Sequence, residues 1–281
     1  MAYCSNCGKQ LEDGSMFCNG CGVSLDGVSA NMTSGGGALQ AAAVQAGAFN
    51  TAGEFVQDAT AEERAIFYRK TYLTAAFSFI AWMGIIYYLF TSGLAYNILN
   101  AMGWVSWLVV LGLFALTSFV GSKLTLSESR GAQFTGLAIY IVAYAVIFVP
   151  LIAYAAAFAG DFYSAFDRIL KPAFIATGAI FAALTATVFL SNKDFSFLRS
   201  FVMFGSFAAI GAIIIFTLMG INPGSLFSIA MIVLMSGTIL YETHQIKKEA
   251  RPDQYIGAGA MIFASFMVLM WYVISLFMDN D

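Results

Sequence analysis

The chain has 281 residues, of which 60% are hydrophobic, 16% aromatic and only 10% charged, with a formal net charge of −3. A soluble domain carries about 25% charged residues, so this composition excludes an ordinary soluble fold and indicates a membrane protein. The small net charge says little, because in a membrane chain the placement of charges matters more than their sum.

The opening stretch, MAYCSNCGKQLEDG, is polar and lacks the apolar core of a secretory signal. It contains the first half of a cysteine pattern, Cys4 and Cys7 followed by Cys18 and Cys21, with Gly8 and Gly22 directly after each pair. Two such CxxC knuckles present four thiolates to one tetrahedral zinc ion, and glycine lets the backbone turn its amides toward the sulfurs. The chain has four cysteines in all, so none is left over for redox or nucleophilic work. Disulfides are the alternative, disfavoured if the N-terminus faces a reducing compartment. A zinc ribbon over residues 1–26 is too short for a core of its own and folds around its metal, which makes a single structural zinc the expected cofactor. Lys9 is its one basic residue against Glu12, Asp13 and Asp26. That balance argues against nucleic acid as a partner and for a protein-facing or structural role.

Residues 27–59 are small and polar with a Gly triplet, and read as a flexible linker with a short helix in the Ala-rich part. The TAEER motif then offers Thr60 as N-cap and Glu63 as its capping-box partner, so a lead-in helix is expected to run into the first span.

The transmembrane domain covers 60–281. No charged residue lies between Lys70 and Lys123, Arg130 and Asp161, Lys171 and Lys193, Arg199 and Glu242, or Asp253 and Asp279. A helix needs about 20 residues to cross the hydrocarbon, and the first and fourth runs are long enough for two, divided at TSGLAYNILNAMG and GINPGS. The fold class is therefore an all-α membrane protein with seven spans near 71–90, 103–122, 132–157, 172–191, 200–220, 224–242 and 256–277. Placing the N-terminus in the cytoplasm puts every Lys and Arg on the inner side except Arg168 and Lys171, a strong positive-inside bias. The protein is then multi-pass in the plasma (inner) membrane, with the bilayer as its first partner and the C-terminus outside.

Small residues recur every four positions at Gly178, Ala182 and Ala186 and at Ala179, Ala183 and Thr187, and Gly205 with Ala209 and Ala260 with Ala264 do the same. Such faces predict close helix packing in a compact bundle. Pro150 falls within the third span and predicts a kink. Trp104, Trp107, Tyr87, Tyr88 and Tyr96 gather near the outer boundary and read as an interfacial aromatic belt.

The stretch SGTILYETHQIKKEARPDQ holds the most pointed candidate, Glu242, a carboxylate that ends a long uncharged run. It is either a solvated helix-end acid beside Lys247 or Lys248, or a proton site at the membrane edge. His244 lies about 200° around the helix from it and reads as interfacial. Lys247, Lys248 and Arg251 read first as topology determinants, and second as an attraction to anionic lipid. Asp194 is placed to cap the fifth helix, and Asp161 and Asp167 flank the outer loop.

The segment RILKPAFIATGAIFAALTATVFLSNKDFSFLRSF resembles the fourth span and following loop of the Bax inhibitor-1 family, with its Lys-Asp-Phe-Ser turn. FYRKTYLTAAFSFIAW is similar to that family's first span, FVPLIAY to its third, and LYETHQIKK to the Tyr-Asp-Thr segment closing its sixth. The resemblance covers about 64–277 and none of the ribbon. It implies a bundle in which six helices surround a central last one. Members are implicated in a pH-regulated calcium or proton leak, and a bacterial, YccA-like branch in restraining a membrane-anchored AAA protease. Two aspartates share a proton near the cytoplasmic mouth of the leak-forming members, and those positions fall here on Glu242 and Ser265. Without a second carboxylate the repulsion that makes such a pair a pH switch is lost, although the Ser265 hydroxyl can still donate to Glu242. The departure at Ser265 thus predicts a Glu242 that is structural or weakly pH-responsive, not half of a calcium-gating pair.

No catalytic constellation emerges from the single histidine, the zinc-committed cysteines and the lack of a phosphate-cradling loop, so no enzymatic activity is expected. The reading favoured by Ser265 is a modulator of a membrane machine such as an AAA protease, with the ribbon as its cytoplasmic interaction module. The other reading is a calcium or proton leak using Glu242.

Overall fold

The structure, a computed structural model, describes residues 2–3, 10–11, 55–102 and 129–279 apart from 192 and 221–223, with scattered positions between 110 and 127. The chain divides into two compact units, Met1–Gly36 and Gly37–Asp281. In the first, β1 (Ala2–Tyr3) pairs antiparallel with β2 (Gln10–Leu11), Ala2 opposite Leu11 and Tyr3 opposite Gln10. The four cysteines, the Ala-rich part of the linker, Trp104 and Trp107 lie outside the described residues.

The second unit is helical. α1 (Ala61–Thr91) starts at the capping box, where the Glu63 N–H donates to the Thr60 hydroxyl at 3.3 Å and the Thr60 N–H donates to the Glu63 carboxylate at 2.9 Å. Each bond satisfies an orphan donor of the first turn. Ahead of it, residues 55–59 are not free linker. The Val56 N–H donates to the Ala250 carbonyl at 2.8 Å and its side chain is 0% exposed, packed with Phe67, Ile246, Ala258 and Met261. α2 (Leu94–Met102) follows, and α3 (Arg130–Ala159) carries Pro150 within it. α4 (Phe162–Ala165) passes through a π turn, Phe166–Leu170, into α5 (Lys171–Leu190), so that Phe162–Leu190 forms one apolar segment. α6 (Leu198–Met219), α7 (Gly224–Lys248), a 3₁₀ turn (Pro252–Gln254) and α8 (Tyr255–Asp279) complete the unit.

Six helical segments among the described residues are long and apolar enough to cross a membrane. The protein is a helical, multi-pass membrane protein. The expected span at 103–122 falls mostly outside the described residues.

α8 is the central helix, packed against α1, α3, α5 and α7. Small residues let it sit there: a Cβ on Gly259 would stand 2.8 Å from Thr74 Cβ and 2.9 Å from the Thr71 carbonyl oxygen, and Ala260 and Ala264 are buried. Gly205 likewise lies tight against the Leu234 side chain, and Ala209 is buried. The α5 expectation is corrected. Gly178 has nothing within 4 Å of where a Cβ would be, and Ala179, Ala182, Ala183 and Ala186 are exposed. α5 instead turns Ala173, Thr177 and Val188 inward, so its small-residue face points away from the bundle. Tyr87, Tyr88 and Tyr96 are exposed, as interfacial rings would be.

Candidate functional site at the α7–α8 interface

α7 continues beyond Glu242 to Lys248, and all residues from Gly237 to Ile246 except Leu240 are buried. Glu242 is 3% exposed and Ser265, on the central helix, 2%. The Ser265 hydroxyl donates to Glu242 Oε2, and Oε1 is buried with no hydrogen-bond partner among the described residues. Buried polar atoms are nearly always paired, so a half-satisfied carboxyl group is an exception. Tyr144 of α3 lies within electrostatic reach of Glu242, and its ring meets Phe263 of α8 edge-on at 5.5 Å.

This geometry overturns the solvated helix-end reading. The two lysines that would have accompanied a solvated acid are engaged elsewhere: Lys247 Nζ donates to the Val188 carbonyl at 3.0 Å and the Ser191 carbonyl at 3.5 Å, and Lys248 Nζ is 3.9 Å from Asp194. Lys247 thereby satisfies carbonyls that the last turn of α5 leaves without intrahelical partners.

His244 is corrected as well. It is buried, with Nε2 3.3 Å from Asp194 Oδ1 though not aligned as a hydrogen bond, and its ring packs edge-on against Phe195 at 6.0 Å. Asp194 does not cap α6, which begins without a side-chain cap. Its carboxylate accepts from the Ser196 N–H at 2.9 Å and from the Ser196 hydroxyl. The Ser196 hydroxyl and N–H hold the Asp194 carboxyl below the usual carboxylate range, with Lys248 and His244 adding to the effect. At the other connection Asp161 caps α4 by accepting from the Ser164 N–H at 2.9 Å and its hydroxyl at 2.8 Å, which likewise holds its carboxyl low. Asp167 lies exposed in the π turn.

Sequence reasoning missed the Asp194–His244 contact and the role of Lys247, since both join residues far apart in the chain. The one available signal was that the single histidine and a lysine stand three residues apart, at 244 and 247, on a helix.

Two family models match this chain. The one described as "Inhibitor of apoptosis-promoting Bax1" covers residues 64–281, most of the chain. The chain belongs to the Bax inhibitor-1 family. A zinc-ribbon domain model matches residues 3–25, ahead of the Bax inhibitor-1 bundle. An uncharacterized membrane protein of Vibrio cholerae serotype O1 is 29% identical over 127 residues, which are 43% of this chain and 56% of that protein. A Golgi anti-apoptotic protein of vaccinia virus (strain Lister) is 28% identical over 114 residues, 39% of this chain and 46% of that protein. The matched stretch thus spans about half the length of these relatives. The ribbon match contains Cys4, Cys7, Cys18 and Cys21, the donor set that a tetrahedral zinc takes. The β1–β2 ladder brings together the chain on either side of Cys4 and Cys7.

Proposed function

We propose that the bundle is a regulated leak for protons or cations in which Glu242 is the responsive group. The observation that carries this reading is the burial of Glu242, with Ser265 on one oxygen and no hydrogen-bond partner on the other among the described residues. Ionisable groups inside a membrane bundle are costly, and by default they mark ion or proton routes. A hydroxyl in the second position makes this a single-carboxyl site, so one proton, not a shared pair, sets its state.

The reading includes seven passes, with the N-terminus cytoplasmic and the C-terminus outside the inner membrane. Connectivity supports the seventh. The start of α3 stands beside α1 at the level of Lys70, because Arg130 and Lys70 both lie against Tyr255. α1 runs on for about 30 Å beyond Lys70, so the chain has to return across that distance before Arg130, and 103–122 is the apolar stretch available.

A second reading, a non-enzymatic modulator of a membrane machine such as a membrane-anchored AAA protease, is favoured by the ribbon match at residues 3–25. Four cysteine thiolates would hold a structural zinc there, and the metal would supply the fold of a small protein-contact module.

Calcium and proton flux into proteoliposomes between pH 6 and 8 tests both. A leak through Glu242 gives flux that varies with pH in the intact protein and collapses in Glu242→Gln. Flux no greater than that of empty liposomes, from folded protein, sinks the leak and leaves the modulator, which predicts a membrane partner captured only when residues 1–59 are present.

A further inference from the structure

Lys70, Arg130 and Tyr255 come from three helices and meet at one corner. Lys70 is the last charged residue of α1, Arg130 opens α3 and Tyr255 opens α8. Lys70 Nζ stands 5.4 Å from the centre of the Tyr255 ring, and the Arg130 guanidinium carbon stands 4.9 Å from the same centre. Arg130 is aimed by its own bonds, Nη1 donating to the Asp253 carbonyl at 2.9 Å and to Gln133 Oε1 at 3.4 Å. The acid of this corner gives its carboxylate elsewhere, since Asp253 Oδ1 pairs with Arg251 Nε at 3.3 Å. No carboxylate pairs with Lys70 or Arg130 among the described residues.

Two like charges drawn to one ring repel each other. The electron-rich ring face compensates each in part, and an anion would compensate both. The two cations are exposed and the ring half-buried, so the charges are open to whatever lies outside the bundle. The depth of the corner says what that is. No charge follows Lys70 before Lys123, Arg130 before Asp161, or Asp253 before Asp279. Three apolar runs therefore begin at this level, where the hydrocarbon ends and lipid phosphates lie. Lys247 and Lys248, the basic pair most conspicuous in the sequence, are held by α5 carbonyls and by Asp194 instead.

We propose that Lys70 and Arg130, gathered on the Tyr255 ring, bind the phosphate of an anionic phospholipid headgroup. Arg130 supplies forked N–H donors and Lys70 a compact charge, while Tyr255 holds the two at a fixed spacing. The proposal is independent of whether the bundle conducts ions.

The test titrates the full-length protein in detergent with phosphatidylglycerol or phosphatidylcholine and reads bound lipid by native mass spectrometry, with a thermal melt as the check on folding. Phosphatidylglycerol is expected to bind in preference, and the pair Lys70→Gln with Arg130→Gln to weaken it about thirty-fold while phosphatidylcholine binding stays as it was. Lys70→Gln alone, at an exposed residue, is expected to cost roughly five-fold and carries the test should the pair not fold. Arg130→Lys, which keeps the charge but loses the forked donors, should bind phosphatidylglycerol more weakly than the intact protein and more tightly than Arg130→Gln. A control pair, Lys193→Gln with Arg168→Gln, should leave it unchanged. Undiminished preference in the Lys70 and Arg130 variants, or an equal loss in the control pair, would overturn the site. Displacement of phosphatidylglycerol by excess inorganic phosphate would overturn the lipid assignment in favour of a free anion, and failure of phosphate to compete supports the lipid.

Discussion

α8 and α6 are of similar length and hydropathy, yet they have opposite fates in the folded chain. α8 is buried along nearly its whole length, from Ile256 to Ile274. α6 buries only Val202 and Ala209, packs mainly against α7 and leaves Phe204, Ile215 and Leu218 exposed. Hydropathy measures preference for lipid over water. It does not measure preference for protein over lipid, because acyl chains are as apolar as leucine and helices associate through shape. Gly259, Ala260 and Ala264 give α8 a surface that neighbouring helices can approach closely, whereas Gly211 of α6 has open space where a Cβ would stand.

The contrast is broken most forcefully at matched phenylalanines. Phe263→Ala, at a fully buried position of α8, is expected to cost about 3–5 kcal/mol through the cavity it leaves. Phe204→Ala, on the outer face of α6, should stay within about 0.5 kcal/mol. Denaturant unfolding in mixed micelles reads the difference, and equal losses would mean that α6 is covered in the working protein. Smaller shape changes sharpen the point. Gly259→Ala pushes a methyl group toward the Thr71 carbonyl and Thr74 and should lose about 1–3 kcal/mol. Gly211→Ala should be neutral or stabilising by up to about 1 kcal/mol, with melting temperature as the measure.

The smallest effect concerns what ties the peripheral α6 to the rest. Asp194 lies in the connection ahead of α6 and faces His244 and Lys248 of α7. Its carboxyl is held below the ordinary value, so its contribution is complete above about pH 4 and disappears as pH falls through the lowered value. Asp194→Asn should therefore flatten the acid limb of stability below about pH 4 and lower the plateau above it slightly, since an exposed carboxylate is well screened. An unchanged acid limb, followed by fluorescence-detected gel filtration, would mean that the ionised Asp194 contributes nothing to stability, either through its Ser196 bonds or through His244 and Lys248.

Membrane residence, the capping box at Thr60 and Glu63, and the resemblance of the bundle were legible along the chain because each rests on composition or on residues close in sequence. Glu242 and Ser265 could be put together only through the resemblance, since nothing in the local pattern of either residue names the other. The outward turn of the α5 small-residue face was not legible, because a small-xxx-small pattern has the same period whichever way its helix is rotated. The burial of His244 escaped for a related reason. An interfacial histidine and a buried one look alike until Asp194 and Phe195 are seen to cover it.

By itself the sequence determined that the chain is a membrane protein, where its uncharged runs begin and end, and that four cysteines precede them at zinc-ribbon spacing. The family resemblance already implied a central last helix; only the tertiary structure decided which faces of α8 its neighbours approach, that α7 carries Glu242 into the interior, and that Lys70 and Arg130 share one aromatic ring. The physical reason is that hydropathy sums along a segment, whereas each of these outcomes depends on which side of a helix meets which neighbour.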